Sequence, residues 1–505
     1  MNPSRLTGAQ KRSIGVAIVL AFVAALLIAQ RTINSGVARV TAGTPAPTTQ
    51  LTGSQGQLTY ADIVDRVSPA VVTIRSARRE RAPEQFPFLD DPLLQRFFGG
   101  PSANERQRGG RGNGSQMQIQ RALGSGVIVR ADGHILTNHH VVDGAQEITV
   151  ELPDRRTFEA KLVGSDAPSD LAVLKINSSN LPVLALGDST RVRVGDIVLA
   201  LGNPLGLGQT VTAGIISAKG RSTGLSDGSF EDFLQTDAAI NQGNSGGGLV
   251  NTASELIGIN SQILSPSGGN IGIGFAIPSN MAKSVMTQLV SGGKVHRGQL
   301  GIGIQTVTSD LAASLGLNNI RGVLVNSVKP GSPADRAGIK QGDVIVALNG
   351  KPVNDTNSFR NEIAGSQPGT KVNLTVLRNG KEQNLTATLG EFSVDVKRGD
   401  QGSAPDSGGG GGQLGLSVEP LTADAVAALG LRSGTQGLLV RDVDPVGPAA
   451  EAGIQPGDVI VEVNRRPVRS TADIRAALRA SGSRPALVLI NRNGQTVFLT
   501  VRPRQ

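Results

Sequence analysis

From Tyr60 to Ser291 the chain is written as short runs rich in Val and Ile, such as Leu171-Ala172-Val173-Leu174-Lys175-Ile176, separated by Gly, Asn and Asp turns. This spacing predicts small all-β barrels with aliphatic interiors. Residues 77–120 break the pattern with a long loop rich in Arg, Gly and Gln. In its middle, Phe86, Phe88, Phe97 and Phe98 stand beside Leu89, Leu93 and Leu94. A solvated loop has no use for such a cluster, which therefore reads as a contact surface or as a local mini-core.

After Gly298 the pattern repeats. Gly331-Ser332-Pro333-Ala334 through Gly342-Asp343-Val344-Ile345 returns about 115 residues later as Gly447-Pro448-Ala449-Ala450 through Gly457-Asp458-Val459-Ile460. Two copies of one small domain are expected, over 298–396 and 414–505. Between them, 397–413 contains five consecutive glycines. A flexible linker of that composition spans roughly 20–25 Å r.m.s., so the second copy is expected to move independently of the first. The junction from Ser291 to Gly298 is short, which favours mechanical coupling to the preceding domain.

At the other end, Arg5, Lys11 and Arg12 precede an apolar run from Ile14 to Ala29. As a helix it would span about 24 Å, short of a hydrocarbon core of about 30 Å. Residues 1–31 thus read either as a signal peptide or as a short membrane anchor. The basic residues keep 1–12 in the cytoplasm and send everything after Arg31 across the membrane. Residues 32–57, rich in Thr, Ala, Pro, Gly and Gln, read as a flexible tether.

Composition narrows the chemistry. The chain has 505 residues, enough for several domains, and only 3% aromatic residues. It has no cysteine, which excludes disulfides and thiolate zinc sites. The net charge is +9, but the arginines are scattered and not interleaved with aromatics, so no nucleic acid partner is expected. No metal or cofactor motif is present.

The sharpest chemical signal is Gly243-Asn244-Ser245-Gly246-Gly247. A serine attacking an amide needs backbone N–H groups converging on the developing oxyanion, in conformations that side chains obstruct. Here the N–H groups of Gly243 and Ser245 can face one point beside the Ser245 hydroxyl. Two of the four histidines, His139 and His140, follow the apolar run Ile135-Leu136. Asp170 heads the run Leu171–Ile176. His, then Asp, then Ser is the chain order of the chymotrypsin-type triad. In such a triad Ser245 is the nucleophile, His140 the base and Asp170 the residue that orients it.

These residues resemble the HtrA/Deg family of serine endoproteases. Thr137-Asn138 with His140-Val141-Val142, Ser169-Asp170-Leu171-Ala172-Val173-Leu174, Gly202-Asn203-Pro204, Gln235–Asn241, the Gly243–Gly247 turn and Gly272–Pro278 stand in family order. The resemblance implies a mainly β chain: a chymotrypsin-like double six-stranded β-barrel protease domain over 58–291, followed by two PDZ domains. It assigns the base to His140, since the family's histidine precedes Val-Val, and leaves His139 a bystander. Asp166 and Asp237 read as structural or solvated. Ala238, Ala239 and Ile240 fall where chymotrypsin-type enzymes build part of the substrate pocket, and no carboxylate stands there for a basic side chain. Leu300-Gly301-Ile302-Gly303 and Leu414-Gly415-Leu416-Ser417 resemble PDZ carboxylate-binding loops.

Further expectations follow from the resemblance. The activity is ATP-independent degradation of unfolded or damaged envelope proteins in the periplasm, with a chaperone role beside it and no cofactor. The partners are unfolded proteins and C-terminal peptides. A homotrimer or a higher multiple is implied, with Tyr60 near its centre, the loop at 77–120 reaching a neighbouring site, and the N-terminal segment inserted in the inner membrane. The competing reading is a PDZ scaffold or holdase whose proteolysis is incidental.

Overall fold

A computed structural model describes residues 59–80, 118–203, 208–223, 229–241, 243–263, 270–317, 321–392, 414–432, 434–479 and 485–502. The leader and tether (1–57), the Phe-rich middle of the long loop and the glycine linker lie outside these residues. Among the described residues no helix is long and apolar enough to cross a membrane.

Behind a short helix, Ala61–Val67, two closed barrels follow in sequence. The first comprises β1 (Val71–Glu80), β2 (Gln118–Arg130), β3 (His134–Thr137), β4 (Glu147–Glu151), β5 (Thr157–Asp166) and β6 (Leu171–Ile176), in the order β1-β2-β3-β6-β5-β4. The second comprises β7 (Ile197–Gly202), β8 (Thr210–Arg221), β9 (Phe233–Thr236), β10 (Gly248–Asn251), β11 (Leu256–Ile263) and β12 (Gly274–Pro278). Its order is β10-β11-β12-β9-β8-β7. Closure leaves no sheet edge exposed. Each interior is aliphatic, with Ile74, Ile128, Ile135 and Leu174 in the first and Val198, Ile216, Leu249 and Ile257 in the second. The two six-stranded barrels match the expected fold.

One boundary differs from expectation. The ladder between β1 and β2 runs out to Ala77 opposite Arg121 and Glu80 opposite Gln118. Residues 77–80 and 118–120 are therefore paired strand rather than loop. Their polar sequence hid this, because backbone pairing beyond a barrel needs no apolar alternation.

The helix Ser279–Gly292 packs on the barrels and leads to two similar sheets. The first contains β14 (Ile302–Thr306), β15 (Val323–Val328), β16 (Val344–Leu348), β18 (Lys371–Arg378) and β19 (Lys381–Thr388), with β17 (Lys351–Pro352) paired to β16. A separate ribbon joins β13 (Gly298–Gln299) to β20 (Gly390–Glu391). The second sheet contains β21 (Leu416–Pro420), β22 (Leu438–Val443), β23 (Val459–Val463), β25 (Ala486–Arg492) and β26 (Gln495–Val501), with β24 (Arg466–Pro467) paired to β23. The duplication extends to a buried charge. Asp343 is 1% exposed and takes a bidentate bond from Arg378, at 2.7 Å to each oxygen, and Asp458 does the same with Arg492. In both copies the arginine also donates to a glycine carbonyl, of Gly338 or Gly453. Each buried carboxylate is thereby satisfied on both oxygens.

The expectation of an independent second copy is not met. The outer face of the first sheet, with Leu324 and Val344, packs against Leu487, Leu489 and Phe498 of the second in one continuous apolar cluster. The Gln305 side chain closes the seam by bonding both the N–H and the C=O of Phe498, each at 2.9 Å. Linker composition describes the tether only; the apolar faces decide where the tethered domain sits.

Candidate active site

Asp170 ends a single 3-10 turn, Ala167–Ser169, in left-handed backbone geometry with φ +53°. This kink turns its carboxylate back over the start of the helical turn His139–Val142. There Asp170 accepts the His140 backbone N–H at 3.1 Å, and its two oxygens lie 2.9 Å from His140 Nδ1. The Asp170 carbonyl accepts from Asn138 Nδ2 and from the His139 N–H, so the acid is tied to the histidine segment at both ends. Burial pushes the Asp170 carboxyl up. The His140 charge and N–H groups, with the Ser261 hydroxyl, outweigh it and hold the carboxyl below the usual range. A carboxylate at Nδ1 fixes the proton there and leaves Nε2 as the basic nitrogen.

Ser261, on β11, escaped the sequence reading. Its hydroxyl donates to Asp170 Oδ2 at 2.8 Å, and its carbonyl accepts the Ser245 hydroxyl at 2.9 Å. Only its place on a strand of the second barrel, facing the first, brings it there. No local motif marks it.

Ser245 is 2% exposed, in a turn shaped by glycines. Gly243 has φ +95° and Gly246 φ +83°. A Cβ on Gly246 would lie 2.1 Å from the Ser125 carbonyl, and one on Gly247 2.1 Å from the Leu201 carbonyl. The amides alternate in use: those of Asn244, Gly246 and Gly247 donate to the carbonyls of Asn241, Asn260 and Asn244. Those of Gly243 and Ser245 donate to no described residue. Gly202 lets β7 approach Asn244, whose Cα would lie 2.6 Å from a Cβ there. Asn244 is buried, and its Oδ1 has no partner among the described residues.

The other sequence candidates separate clearly. Among the described residues the His139 imidazole reaches only Asp143, at 3.6 Å. Asp237 caps the Ile215 N–H at 2.7 Å. Ala238 and Ile240 are wholly buried in the core of the second barrel, and of the three pocket candidates Ala239 alone is partly exposed. Ile240 packs so close to Gly274 that a Cβ on that glycine would lie 2.9 Å from Cδ1.

Asp166 is structural, and more than that. Arg297, just before β13, forks onto its two oxygens at 2.7 and 2.5 Å, with both residues under 10% exposed. Asp166 also accepts from Ser169, so it braces the turn that presents Asp170. The Arg297 guanidinium lies 4.8 Å from the Phe230 ring, which meets Phe392 edge-on at 5.2 Å. The short junction is thus packed directly against the turn carrying the acid.

The two later loops share one conformation. Leu300 and Leu414 are buried, and Gly301 and Gly415 have φ +74° and +69°. The Leu300 and Gly301 carbonyls accept from Ala334 and Lys329, and those of Leu414 and Gly415 from Ala449 and Asp444. Ile302 and Gly303 begin β14, and Leu416 and Ser417 begin β21. Both are end strands of their sheets.

Residues 124–259 match the trypsin-like peptidase domain family, and 298–389 and 439–492 each match a PDZ domain family. The chain is 42% identical over 449 residues to the periplasmic pH-dependent serine endoprotease DegQ of Escherichia coli (strain K12), covering 88% of this chain and 91% of that protein. It is 39% identical over 531 residues to a probable periplasmic serine endoprotease, DegP-like, of Brucella suis biovar 1 (strain 1330), covering 99% of each. The chain belongs to the DegP/DegQ-like, HtrA-type serine endoproteases. Among solved structures it is similar to the HtrA-type protease AlgW with decapeptide, at 46% identity and TM-score 0.53, over 66% of this chain and 99% of that one. The protein is a serine endopeptidase with two PDZ domains.

Proposed function

We propose that Ser245, His140 and Asp170 are the catalytic triad, with the amides of Gly243 and Ser245 as the oxyanion hole. The observation that carries this reading is the Asp170–His140 contact at 2.9 Å beside a serine whose turn leaves those two amides without acceptors among the described residues. Ser245 Oγ rotates from the Ser261 carbonyl and attacks the scissile carbonyl carbon while its proton passes to His140 Nε2. The C–N bond breaks as that proton moves to the leaving amine. Water, deprotonated by the same imidazole, then attacks the ester, and Ser245 recovers its proton. Ala239 and the Ile240–Gly274 contact favour a shallow pocket for small aliphatic side chains, with no carboxylate to pair a buried cation.

In this reading the substrates are unfolded or damaged envelope proteins in the periplasm, as the relatives' names support for the compartment. Their C-terminal carboxylates dock at Leu300–Gly303 and Leu414–Ser417, adding a strand to β14 or β21. Assembly as a homotrimer, chaperone activity and insertion of the N-terminal segment in the inner membrane belong to the same proposal. Replacing Ser245 or His140 with Ala should abolish cleavage of unfolded casein, on the order of 10⁶-fold, while His139→Ala retains most of it. Activity surviving Ser245→Ala would refute the assignment.

A further inference from the structure

We propose that Ser125 is a positioning residue of the oxyanion hole, fastening the Ser245 turn of the second barrel to β2 of the first. This rests on the reading of the Gly243 and Ser245 amides as that hole. Ser125 is fully buried. Its hydroxyl donates to the Gly243 carbonyl at 2.6 Å, and its backbone N–H donates to the Ser245 carbonyl at 2.8 Å. One residue thereby holds the carbonyls of both residues whose amides must converge.

The direction of the hydroxyl proton is fixed by its neighbours. The Asn203 N–H donates to Ser125 Oγ at 2.8 Å, so that contact takes a lone pair. The Gly243 carbonyl can only accept, so the single hydroxyl proton points there. Ser125 is held in turn: its carbonyl accepts the Thr137 hydroxyl at 2.7 Å, one residue before Asn138, which ties Asp170.

Such a fastening is needed because the turn is built to be loose. Gly243 sits at φ +95°, where glycine is free and other residues are not, and its own amide makes no bond to a described residue. Nothing else among the described residues binds its carbonyl. Without the Ser125 hydroxyl the Gly243 carbonyl is left unpaired in a buried place. The turn then relaxes towards other acceptor geometries, and the amide loses its aim.

The test uses the full chain with Ser125→Ala, Ser125→Cys and Ser245→Ala, on a fluorogenic peptide and on a peptidyl boronate that forms a tetrahedral adduct with the serine. Ser125→Ala should lower kcat about 10–100-fold with KM within about twofold, and weaken the boronate by a similar factor. The pH at which activity falls on the acid side should stay put, because the His140–Asp170 contacts remain. Ser125→Cys, a weaker donor of similar size, should fall between the two and carries the test if the Ala variant does not fold. A folded Ser125→Ala with wild-type kcat, or one whose loss lies in KM alone, or an undiminished boronate affinity, would overturn the proposal. Turnover surviving in Ser245→Ala would instead remove the reading beneath it. A dead Ser245→Ala beside a fully active Ser125→Ala would remove the Ser125 inference only.

Discussion

The Asp166–Arg297 pair makes the junction to the first PDZ domain answerable to a single substitution. In Arg297→Ala, Asp166 remains buried with two donors from Ser169 and no cation. Breaking a buried pair by removing one partner costs about 3–5 kcal/mol, to which the lost contact with Phe230 adds. For a unit the size of the double barrel, that is a fall in melting temperature of roughly 6–20 °C. The activity loss should be disproportionate, because the strained turn feeds straight into Asp170. Differential scanning calorimetry gives the first number, and peptide hydrolysis well below the transition gives the second. Adding Asp166→Asn to Arg297→Ala should recover part of both, since it removes the stranded charge. A melting point within one degree or two of wild type, with unchanged hydrolysis, would refute the bracing role. Equal damage in the single and double variants would show that the charge is not what matters.

Cleavage-site mapping of casein should place small or aliphatic residues before the cut, and Ile240→Ala should admit larger ones by removing the side chain packed on Gly274; a map dominated by Lys and Arg would contradict the pocket. Phe498→Ala should cost about 3–5 kcal/mol at the seam between the PDZ domains and expand the particle in X-ray scattering, whereas an unchanged profile would mean that the seam does not hold the domains together. Burial pushes the Asp232 carboxyl up, aided by repulsion from Asp355 and opposed by Lys219. Its contribution to stability is then present below the unfolded value of 3.8 and lost as pH rises through the raised folded one. Asp232→Asn should therefore stabilise the protein at neutral pH and change nothing at pH about 3; the opposite ordering in calorimetry would reverse the assignment.

Much of this was legible because it is local. A glycine-framed serine, a histidine after an apolar strand and an acid before one are each written in a few residues, and chain order relates them. The PDZ repeat announced itself through Asp343 and Asp458, which the structure finds in matching bidentate bonds. What was not legible depends on residues far apart in sequence. Ser261, Ser125 and Arg297 have unremarkable neighbours, and their partners lie across a barrel interface or a domain junction. The docking of the second PDZ domain did leave a trace. Ala486-Leu487-Val488-Leu489-Ile490 is apolar without alternation, and every one of these residues is buried. A strand apolar on both sides must be covered on both, which outweighs any inference from a glycine linker.

The split of the site between two closed barrels also means that neither barrel alone holds the whole of it. The first barrel closes at Ile176 and already holds His140 and Asp170, while the second closes only at Pro278, about 100 residues later. Until both barrels are folded and joined, the imidazole and carboxylate stand without the serine turn, and Ser125 has no carbonyls to hold. On the proposed reading, a chain with either barrel unfolded is inert towards its neighbours, and activity arises only as the two barrels meet.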